Sequence, residues 1–87
     1  MAYAIEFAKS AAKQLASLPG DVRHRISVRI TALAENPRPA GAVKLEGVAD
    51  TYRFRVGAYR VVYEIQDRRL LVYILRVAHR KMVYRGF

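Results

Sequence analysis

The 87-residue chain has no cysteine, no tryptophan, two histidines and only seven acidic residues. Without a thiol there is no disulfide framework, no thiolate nucleophile and no sulfur ligand for a metal. His24 and His79 alone are a poor basis for a catalytic zinc held by three protein ligands. No apolar run approaches the roughly 18 residues that a membrane helix needs. The first thirteen residues also lack the basic segment followed by an apolar one that marks a secretory signal. Glycine-rich phosphate loops, Gly-x-Ser-x-Gly turns and metal-spaced His and Asp sets are missing too. These absences lead us to expect one soluble, cytoplasmic domain spanning residues 1–87, with no membrane partner, no metal and no cofactor. The chain is 53% apolar, and folding at this size hides about two-thirds of its surface, so a single core suffices without staples.

What the chain has in excess is positive charge. Sixteen bases face seven acids, a net charge of +9, and twelve of the bases are arginine. A surface this basic calls for a polyanionic partner. The planar guanidinium fork matches pairs of phosphate oxygens and keeps its proton at any physiological pH, so the arginine bias leans toward phosphate. Residues 44–87 carry ten bases against four acids, and residues 1–43 six against three. The second half therefore sets the field.

Alternation of Tyr3, Ile5 and Phe7 predicts a short strand over residues 2–7. Ala8, Ala11, Ala12, Leu15 and Leu18 are spaced as one helix face before Pro19 and Gly20. Asp21 is placed to cap a second helix with the stripe Val22, Ile26, Ile30 and Leu33, ending before Pro37. Residues 36–49, with two prolines and two glycines, predict a loop. Three strand patterns follow, at residues 51–56, 59–66 and 70–78, the last nearly all apolar and so expected at the centre. Gly57-Ala58 suits a two-residue hairpin turn, whereas Asp67-Arg68 is a poorer one that leaves the last register open by one residue. The expected fold is α+β in the order β-α-α-β-β-β: a mainly antiparallel sheet, two helices packed on one face, and the other face open.

Strand alternation sends Tyr52, Phe54 and Val56 toward the helices, and Arg53 and Arg55 the other way. A turn at Gly57-Ala58 then sets Arg55 directly across from Arg60. Like charges facing each other on a sheet destabilise it. Glu64, on the same strand and face as Arg60, is the one nearby acid to offset them. Such a cluster is either a solvated basic edge or a site awaiting an anion, and the built-in repulsion favours the site. Residues 79–85 form the densest basic segment. There Arg80 followed four residues later by Tyr84 offers phosphate contact and base stacking together, while Lys81 and Arg85 read as general RNA contacts on a basic terminus. His79 is equally readable as a hydrogen-bonded core histidine or as a proton-transfer group near neutral pH. His24 reads as surface.

The run Tyr52-Arg53-Phe54-Arg55-Val56-Gly57-Ala58-Tyr59-Arg60-Val61-Val62-Tyr63-Glu64, with Ile74 through Arg80 and Val83-Tyr84, resembles the RelE branch of the RelE/ParE toxin superfamily. The stretch Asn36-Pro37 through Lys44-Leu45-Glu46-Gly47 is similar to that family's helix-to-sheet connection. The resemblance implies a RelE-like single domain and a type II toxin that cleaves mRNA on the ribosome, using the RNA's own 2′-hydroxyl, without metal or cofactor. It also implies a cognate antitoxin as partner. Carried over, Arg60 stabilises the charge on the scissile phosphate and Arg80 contacts that phosphate or the leaving oxygen. Arg53 and Arg55 match the family's basic strand pair, and Tyr84 orients the nucleotide. The chain departs from the pattern in one respect: that pair is lysine in the best-known members, one of them assigned as general base, and arginine does not readily give up its proton. His79 is then the natural substitute, with Glu46 or Glu64 as weaker ones. The rival readings are the ParE branch, which poisons DNA gyrase without cleaving nucleic acid, and a non-catalytic RNA-binding module.

Overall fold

A computed structural model describes residues 2–79 and 81. In chain order the elements are β1 (Ala4–Phe7), α1 (Lys9–Ala16), α2 (Gly20–Ala32), β2 (Val43–Lys44), β3 (Thr51–Val56), β4 (Tyr59–Gln66), a one-turn 3-10 helix (Asp67–Arg69) and β5 (Leu71–His79). They build a five-stranded sheet in the order β1-β5-β4-β3-β2, antiparallel except for the parallel pair β1 and β5. β5 is therefore internal, as its apolar run requires.

The two helices lie against one face. Ala11, Ile26, Ile30 and Leu33 from the helical layer pack with Phe54, Val56, Val61, Tyr63, Ile65, Val72, Ile74 and Val77 from the sheet. The other face is less open than expected. Val62, Leu71 and Ala78 are buried there, and Val62 lies directly between Arg53 and Arg76 on the flanking strands, where long arginine stems shield apolar atoms.

Several elements differ from the sequence expectation for local reasons. α2 begins at Gly20 with Pro19 in the capping position, so Asp21 does not cap it. Asp21 sits in the first turn, where its charge favours the helix dipole. The expected 36–49 loop contains β2, two residues pairing with Tyr52 and Arg53. Gly57 takes φ +59 while Ala58 stays out of the positive region, the pattern of a type II′ turn. Asp67 does not form a two-residue turn: the chain closes through the 3-10 turn with Leu70 at φ 49.

The most consequential difference lies in β5. Val62 pairs with Arg76 but Tyr63 pairs with Ile74, so Leu75 is an extra residue, a β-bulge. Before it Val72 and Ile74 face the helices, and after it Val77 does. α1 serves this region too: Gln14 Oε1 accepts the Val77 N–H at 2.9 Å, beyond the point where β1 stops pairing with β5. Gln14→Ala leaves that amide without its acceptor. We expect a loss of about 1 kcal/mol in urea unfolding, with an unchanged denaturant slope.

A polar clasp closes the sheet end remote from the β3–β4 turn. Arg38 donates to both Asp67 carboxylate oxygens at 2.7 and 3.3 Å and, through Nε, to the Tyr52 hydroxyl at 3.1 Å. Tyr3 donates to Asp67 at 2.6 Å, and the buried Tyr63 hydroxyl donates to the Pro37 carbonyl at 2.7 Å. Arg38, then Tyr3, holds the Asp67 carboxyl below the ordinary carboxylate range. A depressed folded-state value contributes stability above the unfolded value that disappears as pH falls through the folded one. Urea midpoints measured between about pH 5 and pH 3 should therefore fall less steeply in Arg38→Gln than in the parent chain.

Candidate functional site

The hairpin of β3 and β4 positions the arginines. Val56 pairs with Tyr59, Arg55 with Arg60 and Arg53 with Val62, so three guanidinium groups rise from the face opposite the helices. Arg55 and Arg60 stand directly opposite, with Cα atoms about 4.5 Å apart for a non-hydrogen-bonded pair. Arg60 is 7% exposed and its Nε is buried, whereas Arg55 is exposed. The cluster thus grades from Arg60, held in the protein surface, through half-buried Arg53 to exposed Arg55.

These groups line a cavity of about 430 Å³ with Arg29, Val43 and Phe54. Arg29 comes from α2 and stands over the Phe54 ring, 4.8 Å from its centre, a cation–π contact that fixes the side chain at the cavity wall. Neither a carboxylate nor an imidazole lines this cavity among the described residues. The wall can neutralise and orient a phosphodiester, and its lining offers no group that exchanges protons near neutral pH.

The register settles where the other candidates stand. His79 pairs with Tyr59, and their rings meet edge to face at 5.5 Å on the helix side of the sheet. The structure thus does not bring it to Arg60, because the bulge at Leu75 reverses the parity of everything after it. Arg76 and Ala78, not His79, share the arginine face. Glu64 is on that face but lies four residues along β4, about 13 Å from Arg60. It accepts a hydrogen bond from Gln66 Nε2 at 2.8 Å and lines a different cavity; the register makes it a diagonal neighbour of Arg53 and not of Arg55 or Arg60, so its charge bears chiefly on Arg53. Glu46 is exposed in the loop before β3. Lys81 is exposed, its backbone N–H directed at His79 Nδ1 at 3.4 Å. Arg80, Tyr84 and Arg85 lie outside the described residues. Sequence reasoning missed Arg29, which gave no signal, being one of several arginines on an amphipathic helix; Arg76 shares the arginine face without lining this cavity.

A sequence model described as "ParE toxin of type II toxin-antitoxin system, parDE" matches residues 5–84. The chain belongs to this toxin family. Its individual relatives carry the names of the sister branch. The mRNA interferase toxin RelE of Escherichia coli K12 is 31% identical over 83 residues, covering 93% of this chain and 86% of the relative. Toxin RelG of Mycobacterium tuberculosis is 33% identical over 86 residues, covering 98% and 99%. The archaeal RelE-RelB complex from Pyrococcus horikoshii superposes with a TM-score of 0.81 at 33% identity, over 92% of this chain and 97% of that one. The α+β architecture of two helices on a five-stranded sheet is thus that of the RelE toxins, in agreement with the sequence expectation.

The face-to-face arginines make a direct test of design for binding over stability. Arg55→Gln removes the like-charge pair from an exposed position. It should raise the urea midpoint by the equivalent of about 0.5 kcal/mol while weakening binding of polyphosphate, a generic polyanion, in a filter assay.

Proposed function

We propose that this toxin is a metal-independent endoribonuclease that cleaves mRNA in the ribosome and so halts translation. The observation that carries the reading is the Arg60 guanidinium, set in the surface at a cavity it shares with Arg53, Arg55 and Arg29. The relatives named as mRNA interferases support it.

In the reaction the 2′-oxygen attacks the adjacent phosphorus, its proton leaves, and the 5′-oxygen departs as it gains one. The products are a 2′,3′-cyclic phosphate and a 5′-hydroxyl. The phosphorus centre gains negative charge on its non-bridging oxygens at the transition state. Guanidinium groups already in place around it stabilise that charge without reorganising. Four arginines at the cavity supply the cationic charge that this step needs. What the described site contributes is charge and alignment, and alignment alone is worth several orders of magnitude when nucleophile and phosphorus are held in line. Ribosomal geometry that fixes the RNA conformation fits a site with no proton acceptor among its described lining residues. Arg80 and Tyr84 are assigned to the leaving oxygen and to nucleotide stacking, with Lys81 and Arg85 as further RNA contacts.

We also infer a cognate antitoxin as partner. The net charge of +9 suits an acidic segment laid on the basic face, and relatives were solved as toxin–antitoxin complexes. No helix among the described residues is long and apolar enough to cross a membrane, and action on mRNA places the protein in the cytoplasm.

Arg60→Ala should lower the cleavage rate on programmed ribosomes by about 10²–10³, or 3 to 4 kcal/mol, with urea unfolding run beside it because Arg60 is buried. Cleavage should survive a chelator and leave cyclic phosphate ends. Inhibition of gyrase supercoiling without RNA cleavage would transfer the protein to the function of the ParE branch.

A further inference from the structure

The arginine cavity has a neighbour across the edge of β3. A second cavity of about 390 Å³ is lined by His24, Arg25, Val28, Arg29, Arg55 and Val56. It shares Arg29 and Arg55 with the first, so the two form one basic path from the open face of the sheet to α2. β2 pairs only with Tyr52 and Arg53, which leaves no strand of the sheet over that edge from Phe54 to Val56. Arg25 reaches the hairpin turn, its Nη2 4.0 Å from where a side chain on Gly57 would begin. Arg29, one helical turn on, stands over Phe54. Like charges at i and i+4 oppose helix formation, so the path holds a second repulsive pair besides Arg55 and Arg60. An exposed valine accompanies the guanidinium groups in each cavity, Val43 in the first and Val28 in the second, an apolar patch against which a ribose or base can rest. At the opposite end of the sheet the far cavity is mixed in charge, with Asp50, Glu64 and Asp67 lining it beside Arg68 and Arg69, and Asp67 paired with Arg38.

We propose that the RNA strand held at Arg60 leaves the site over the edge of β3, and that α2 holds its flanking phosphates through Arg29 and Arg25. This rests on the RNA-cleaving reading and deepens it by giving the path of the substrate. The far cavity offsets its arginines with carboxylates, whereas over the edge of β3 every charged lining residue is basic, which draws a polyanion that way.

The test uses single-stranded RNA 2′-O-methylated throughout, which binds without being cut, in lengths of about three and about nine nucleotides. Fluorescence anisotropy across a salt series should show the longer RNA bound more tightly by the parent toxin. Arg25→Gln/Arg29→Gln should lower affinity for the longer RNA about tenfold and reduce its salt slope by about 1.4, the share of two phosphates; the shorter RNA should lose only the share of Arg29, which also lines the Arg60 cavity, and should be unchanged in Arg25→Gln. Arg25→Gln alone, which does not touch the Phe54 ring, should give about half of that slope change. Equal binding of both lengths, or a double variant that keeps the long-RNA affinity and slope, overturns the path. So does a double variant that loses polyglutamate binding but not long-RNA binding, since the surface then belongs to an acidic protein. Because the RNA is uncleavable, the result is independent of Arg60 chemistry. A length effect without any cleavage on ribosomes supports the path and sinks only the enzymatic assignment.

Discussion

Repulsion between guanidinium groups held across one hairpin is the constraint around which this molecule is organised. The two-residue turn at Gly57 fixes the register of β3 on β4, and that register leaves Arg55 facing Arg60. The sheet carries this cost because its opposite face is a continuous apolar layer, with Phe54, Val61 and Tyr63 packed on Ile26, Ile30 and Leu33. Burial of such side chains contributes about 1.5–3 kcal/mol each, well above the roughly 1 kcal/mol or less lost to one cross-strand like-charge pair. Stability made on one face thus supports a surface on the other that an anion would relax.

The division of labour within the cluster follows from depth. Arg60 sits in the surface with its Nε covered, while Arg55 stands in solvent. A charge fixed in a region of low effective dielectric acts strongly over a short range. A solvated one attracts at a distance and is screened by salt. The first suits charge that develops on a single phosphate, and the second suits capture of the strand. The family's sequence model is named for the ParE branch and the individual relatives for RelE.

Much of this was legible in the residues. Strand alternation and the Gly57-Ala58 turn specify which side chains share a face, so the Arg55–Arg60 pairing and the boundaries of β3 and β4 could be read directly. Two-residue β2 could not: it is too short to leave a periodicity, and exists because β3 offers it an edge. Neither could the surroundings of Arg29, which depend on how α2 lies against Phe54 and not on any pattern within the helix. His79 illustrates the sharpest limit. A period-two reading extended through β5 places it by counting, and one extra residue at Leu75 inverts the count. The clue was present in the apolar positions, which run Val72 and Ile74 and then skip to Val77, but an all-apolar strand masks such a change of phase.

That extra residue has a consequence for how the family can vary. Straightening the bulge at Leu75 with the chain length kept would turn over the last third of β5. Imidazole would then arrive beside the arginines, and the Arg76 guanidinium would be driven into the apolar layer. Loss of Leu75 would instead restore strict alternation and leave Arg76 and His79 on the faces they hold now, so the bulge itself decides whether this sheet presents a titratable group to its substrate, and the Arg76 side chain is what stands in the way of straightening it.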